Sequence, residues 1–432
     1  MDLLQLPKRY DLVVGDSFEL FYKGIVKCLC EDAIDFELRY SDGVSRGNNY
    51  AEKYVFTPEA KDVGTHTLSI RLRSNFGEVL DEGSVQIHVV PRPTSPQREK
   101  VVLLIGDSLT APGIWPSELD RRLTGTGGTP VGDALTGITF IGSREHGGTK
   151  YEGYGGWTFD SYTTANAARN YCMYINGSFD AGALTQHSVY RDANGQLWKL
   201  ETVTATRIKL IAVQNVEGTL DVSCTALPES GTLCYEGGGA SAARIEYTSS
   251  EYAEGNPFWN AAEGRNSFTA YAAAQGVSTI DEIVILLGWN NTFMEGTRLA
   301  ERALVLIDGI LAELPDCHIT LVGLQVPSRD GFGENYGISW NYFEKMSKVF
   351  EFQNAFIALT EREEYAGSLS FVSLAGQFDT VHDHPERTVA VNNRNDATEV
   401  RGSNGVHPSA SGYLQIADAV YRHLAARLAA EN

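Results

Sequence analysis

The chain has 432 residues and a formal net charge of -20, with 55 Asp and Glu against 35 Lys and Arg. That length exceeds the roughly 250 to 300 residues at which a single core stops growing, which predicts two or more domains. The acidic balance is spread along the chain and argues against nucleic acid and anionic membrane surfaces, whose phosphates are bound by Lys and Arg. No apolar run approaches the roughly 18 residues of a membrane span, and the start MDLLQLPKRY lacks the basic-then-apolar layout of a signal peptide. Export stays compatible with a trimmed leader, so the compartment is open. The six cysteines are too few for a disulfide framework, although Cys224 and Cys234 could close a short loop.

From Asp11 to Val90 the segments DLVVGDSFELFYKGIV, AIDFELRYSDG, THTLSIRLRSNFGEVLDEG and SVQIHVV alternate apolar and polar residues between turn signals. Period-2 alternation marks strands with one buried face, and several in so short a span predict an antiparallel sandwich. The stretch FTPEAKDVGTHTLSIRL resembles the late strands of immunoglobulin-like modules, without the cysteine and tryptophan pattern of antibody domains. Residues 1–95 are read as an all-β accessory domain that ends in the Pro-rich linker PRPTSPQREK.

Beyond the linker the pattern changes. VVLLI, ITFIG, EIVILLG, HITLVGLQ and LSFVSL are short continuous apolar runs, as in parallel strands buried on both faces. Between and after them apolar residues recur at helical spacing, at Leu299, Ala303, Leu306, Ile307 and Ile310, and at Leu414, Ala417, Val420, Leu424 and Leu428. Ser409 or Ser411 could cap the last helix. Residues 96–432 are therefore read as an α/β domain, interrupted at about 162–252 by a segment too long for a plain loop. Within it SVYRDANGQLWKLETVTATRIKLIAV predicts a hairpin turning at Asn194-Gly195. The insertion is a β-rich subdomain, either a substrate-selecting element or a structural embellishment.

Two Gly-Asp-Ser tripeptides compete as chemistry. After VVGDSF the chain continues as strand, which makes Ser17 a turn residue. After LLIGDSLT comes APGIWPSELDRRL, a helical pattern, which sets Ser108 on a strand-to-helix turn. In open α/β sheets ligands bind at that end of the strands, where backbone N–H groups face developing negative charge. Three further segments follow strands in order. YEGYGGWT supplies Gly155 and Gly156, where backbone could approach a substrate; LLGWNN sets Asn290 at a strand end; GVHPSASGY sets His407 before the last helix. Nucleophile, base and oxyanion donors together make an acyl-transfer inventory. Asp107, Trp157 and Trp289 flank these segments and could line the substrate, although aromatic residues at such turns commonly pack the core.

These four blocks, with NPFWN at 256–260 and GYLQIADAV at 412–420, resemble the SGNH hydrolases, the GDSL-type esterases and lipases. The resemblance covers the α/β region apart from the insertion. It implies a three-layer α/β/α, flavodoxin-like fold. It further implies Ser108 as nucleophile, His407 as base, and an oxyanion hole made of the Ser108 amide, the Gly156 amide and the Asn290 side chain. No cofactor or metal is implied.

One position departs from the family pattern. Where the family usually carries Asp three residues before its His, this chain has Asn404, an uncharged third member. Four explanations stay open: Asn404 orients His407 through its amide oxygen; Asp379, Asp383 or Asp396 supplies the carboxylate; the site is weakened and kept for binding; or Asn404-Gly405 deamidates to the missing Asp. Asn291 also stands where the family commonly has Asp. His382 and His384 in VHDHPER match no strong metal-ligand spacing and are read as a solvated loop, and the glycines of CYEGGGAS as a flexible connector. The expected activity is hydrolysis of short acyl esters, small molecules or acetylated polysaccharide, through an acyl-enzyme. The alternatives are a lipase or lysophospholipase of the same superfamily and a glycan-binding protein.

Overall fold

The computed structural model describes residues 3–30, 33–164, 172–185, 188–212, 227–236, 244–252, 255–338 and 340–431. They form a mixed α/β chain with several sheets in two compact units, Met1–Tyr154 with Val277–Glu301 and Asp316–Asn432, and Gly155–Gly276 with Arg302–Pro315. The α-helices are α1 (Ile114–Thr124), α2 (Phe268–Ala274), α3 (Gly296–Glu313), α4 (Phe332–Tyr336), α5 (Tyr342–Thr360) and α6 (Ala410–Glu431). None is long and apolar enough to cross a membrane among the described residues.

In the first unit the N-terminal residues make two sheets. Arg9–Val13, Val79–Val90, Gly64–Ser74 and Ile34–Tyr40 form one, in that order, and Phe18–Phe21, Lys53–Phe56 and Asn48–Asn49 form the other. Their alternating sequences put Leu12, Phe18, Leu20, Phe36, Leu68, Ile70 and Ile87 into one buried cluster. Asp16, from the first Gly-Asp-Ser, is 1% exposed and accepts Arg122 Nη2 of α1 at 2.5 Å and Arg422 Nη1 of α6 at 3.2 Å. Its neighbour Ser17 is exposed, and its carbonyl accepts Arg422. This tripeptide is thus an ion-pair anchor. The N-terminal sheets and the parallel sheet belong to one unit, with these buried pairs joining them.

The parallel strands run Thr149–Gly153, Lys100–Gly106, Glu282–Leu286, His318–Val322 and Leu369–Val372, with Ile138–Ile141 also pairing along Lys100–Gly106. The two central strands and His318–Val322 are buried at every residue, which is why their sequences are mostly apolar. Gly106 stands opposite both Leu286 and Gly153, so three adjacent strands end level with one another. A Cβ on Gly106 would meet Thr110 Oγ1 at 1.9 Å, so only glycine lets the following turn fold back over the strand end. The strand Thr149–Gly153 is not apparent from sequence, because Lys150 and Glu152 interrupt its apolar run. A second difference lies between His384 and Asn404, where the expected loop is a hairpin of Glu386–Asn392 and Asn395–Gly402. The alternating TVAV and ATEV around an Asn-rich turn are the signal for it.

The second unit contains a seven-stranded antiparallel sheet in the predicted insertion. Its hairpin pairs Val189–Arg191 with Leu197–Val203 around Gly195, and Asp192 Oδ1 accepts the amides of Asn194 and Gln196, each at 2.9 Å. Trp198, Leu200, Ile208, Leu210 and Leu233 form its core. Cys28, Cys30, Cys234 and Cys317 are free thiols; Cys224 and the central glycines of CYEGGGAS lie outside the described residues.

Candidate active site

Ser108 follows the central strand Lys100–Gly106 on a turn closed by Thr110 and Ala111 amides donating to the Asp107 carbonyl, at 3.1 and 2.9 Å. Its Oγ lies 2.9 Å from His407 Nε2, across 299 residues of sequence. His407 sits on the loop before α6, whose first turn Ser409 caps by accepting the Gly412 amide at 3.3 Å. Asn290 occupies the short turn Trp289–Asn291 after the neighbouring strand, and its Nδ2 donates to Asp107 Oδ2 at 3.4 Å. Ser108, Asn290, Asn404 and His407 are each partly exposed, as groups meeting a ligand must be. Gly156 has a positive φ of 83° and, with Trp157, belongs to the second unit.

The loop carrying His407 is held backbone to backbone. A Cβ on Gly405 would lie 2.8 Å from Phe332 Cα, and one on Gly331 would lie 2.4 Å from the Asn404 carbonyl oxygen. Asn335 of α4 accepts the Gly405 amide at 2.6 Å. Asn404 Oδ1 accepts the amides of Val406, at 2.9 Å, and His407, at 2.8 Å. Its Nδ2 is therefore the atom turned toward His407 Nδ1, 3.4 Å away. An amide nitrogen only donates, so this contact favours a neutral ring with its lone pair on Nδ1 and its proton on Nε2. A base must carry the lone pair on Nε2. The sequence-based alternative in which the amide oxygen holds the Nδ1 proton is overturned, because backbone has already claimed that oxygen.

The proposed substitute carboxylates are engaged elsewhere. Asp379 Oδ1 accepts the Val381 and His382 amides, Asp383 pairs with the Ser411 hydroxyl, and Asp396 lies on the exposed hairpin. Deamidation is opposed as well, since the Gly405 nitrogen and the Asn404 amide are both hydrogen-bonded in the arrangement that ring closure would break. His384 is 3% exposed and packs edge-on against Phe378, not in a solvated loop; burial pushes its imidazole down to about 4.

Asp107, Trp157 and Trp289 present little surface, at 1%, 0% and 5% exposed. Trp157 packs on Tyr162, which continues through Phe258 to Phe268 and Tyr271 as an aromatic core that also accounts for NPFWN. Burial lifts the Asp107 carboxyl to about 7, against the opposing pull of the Leu109 amide. A carboxyl raised in the folded state adds most stability while protonated and loses it as pH climbs from about 4 to about 7. Asp107→Asn is therefore expected to gain on the wild type across that window, by an amount on the order of a few kcal/mol at pH 8. Denaturant titrations of both proteins at pH 4 and pH 8 read this directly; a gap independent of pH contradicts it.

Sequence reasoning missed two polar residues at the site, Gln325 and Asn335. A glutamine just past the apolar run HITLVGL is the signal for the first, a polar side chain placed where the strand ends. Asn335 has no local signal, since its partner is 70 residues away.

No protein-family model matches the chain, and no curated protein sequence matches it. Among solved structures it is similar to a Clostridium thermocellum family 3 carbohydrate esterase, 15% identical with a TM-score of 0.37, over 77% of this chain and all of that one. A carbohydrate acetylesterase from Sinorhizobium meliloti is 14% identical with a TM-score of 0.32, over 76% of this chain and 100% of that one. A Corynascus carbohydrate esterase family 2 enzyme with a carbohydrate-binding domain is 12% identical with a TM-score of 0.31, over 97% and 92% of the two chains. The functional reading rests on the geometry of the site.

Proposed function

We propose that the chain is a serine ester hydrolase of the SGNH type that cleaves short acyl esters, including O-acetyl groups on carbohydrate, through an acyl-enzyme. In this reading residues 96–432 form a three-layer α/β/α hydrolase domain and residues 1–95 an immunoglobulin-like sandwich. The observation that carries it is the 2.9 Å approach of Ser108 Oγ to His407 Nε2 at the carboxyl end of a central parallel strand, with Asn290 in the adjoining turn. His407 takes the Ser108 proton as the hydroxyl attacks the ester carbonyl. The Ser108 amide and the Asn290 side chain hold the oxyanion, and the alcohol leaves with the proton returned from His407. Water then repeats the cycle on the acyl-enzyme.

The starting tautomer sets the rate. Only the fraction of His407 with its proton on Nδ1 is competent as base, so turnover is slow for the constellation. A series of p-nitrophenyl esters from acetate to octanoate, followed by acetylated oligosaccharides, tests the reading. Hydrolysis is expected to be fastest for acetate and to fall with chain length. Rates that rise toward octanoate favour a lipase, and absence of hydrolysis across the series removes the enzyme reading.

A further inference from the structure

Gln325 lies just beyond the strand His318–Val322, at the end of the sheet where Ser108 and Asn290 emerge, and is fully buried. Its Oε1 accepts Trp289 Nε1 at 3.2 Å, and its Nε2 donates to the Val406 carbonyl at 2.8 Å. The amide orientation is unambiguous, because an indole N–H can only donate and a carbonyl can only accept. Trp289 directly precedes Asn290, and Val406 directly precedes His407. One side chain thus spans two turns that are 117 residues apart in sequence, reckoned from Trp289 to Val406. Both of those neighbours are themselves buried, so each bond is made out of water, where losing a partner leaves an unpaired polar group.

We infer that Gln325 is a positioning residue that sets the separation between the Asn290 amide and the His407 imidazole. It acts through the residue before each, the Trp289 indole on one side and the Val406 carbonyl on the other. The need for such a bridge follows from the chemistry of the Ser108 site. In the proposed hydrolase one carbonyl must meet an oxyanion donor and a base at once, and a misplacement of about 1 Å costs up to about 10²-fold in rate. The His407 loop also lacks the usual carboxylate anchor, so its placement depends on contacts such as this one and the Asn335 bond to Gly405. The inference rests on the hydrolase reading for its catalytic consequence, and on hydrogen-bond geometry alone for the coupling.

Two substitutions separate positioning from packing. Gln325→Met keeps the volume and loses both bonds; Gln325→Glu keeps the acceptor for Trp289 and loses the donor to Val406. Trp289→Phe removes the other end of the bridge. The measurement is the nitrogen NMR signals of the His407 ring and the Asn290 side chain in the full chain, with kcat and KM for p-nitrophenyl acetate recorded beside them. Gln325→Met is expected to shift both sets of signals and to lower kcat about 10- to 100-fold with KM nearly unchanged. Gln325→Glu is expected to shift His407 more than Asn290, and Trp289→Phe to shift Asn290 more than His407. Signals unmoved in Gln325→Met overturn the inference. Shifted signals in a protein that hydrolyses no ester leave the coupling standing and remove the hydrolase reading, so the two failures are distinct.

Discussion

Asn404→Asp is expected to raise kcat for p-nitrophenyl acetate by about 10²-fold or more, with little change in KM. The comparable swap in the reverse direction costs a serine protease about 10⁴ in turnover, largely by holding the wrong histidine tautomer, which sets the scale. In the present loop Asn404 Oδ1 already serves the Val406 and His407 amides, and an aspartate can keep that oxygen in place. Its second oxygen would then stand where Nδ2 stands now, 3.4 Å from His407 Nδ1, and accept a proton that the amide nitrogen repels. The ring would turn its lone pair toward Ser108, and the imidazolium formed during attack would gain a neighbouring negative charge. Two readouts check the argument: the rate, and the nitrogen NMR shifts of His407, which move from an Nε2-protonated to an Nδ1-protonated pattern. A variant with unchanged rate and unchanged shifts shows that Asn404 does not govern the base.

Ser108→Ala is expected to lower hydrolysis by about 10²- to 10⁴-fold, the part of a full triad's roughly 10⁶-fold effect that Asn404 has not already forfeited, and to eliminate labelling by a fluorophosphonate probe. Removing the nucleophile of a comparable serine hydrolase costs as much as removing the whole triad, because the members act as a unit. Stability should change little, since the substitution removes one partly exposed hydrogen bond, worth about 1 kcal/mol. Ser17→Ala in the other Gly-Asp-Ser is the matched control. Ser17 is exposed, and its carbonyl rather than its hydroxyl accepts Arg422, so that variant is expected to label and turn over like the parent. Labelling that survives Ser108→Ala places the nucleophile elsewhere. Combining Ser108→Ala with Asn404→Asp should restore nothing, because a better base has no hydroxyl to activate.

The local parts of the molecule were readable from their own residues. Runs such as VVLLI and EIVILLG became strands because a short, largely apolar segment flanked by turns is too short for a helix and buries both faces inside a sheet. The segments SVYR and LWKLETV became a hairpin around Asn194-Gly195, because an Asn-Gly turn between β-patterned segments pairs them directly. Type and place offer Ser409 or Ser411 as the helix cap, and Ser409 is the one that caps α6. The Gly-Asp-Ser ambiguity was resolvable too, because a following helix and a following strand leave different periodicities.

Other features depended on what packed against them. The strand Thr149–Gly153 escaped notice because its Glu152 is satisfied by Ser143 and Tyr154, partners that periodicity does not reveal. Trp157 and Trp289 looked like candidates for a substrate wall, yet both are buried, and only their neighbours show it. The role of Asn404 could not be decided from its identity, since either end of an amide can face a histidine. Two backbone N–H groups took the oxygen and left the nitrogen.

From residue order alone came the apolar and polar periods, the turn residues and the four segments with chemical side chains, because these are properties of neighbours along the chain. The approach of Ser108 to His407, the direction of the Asn404 amide and the bridge through Gln325 came only with the folded chain. Hydrogen bonds are specified by distance and direction in space, and residues hundreds of positions apart acquire those only when the strands and loops between them have packed.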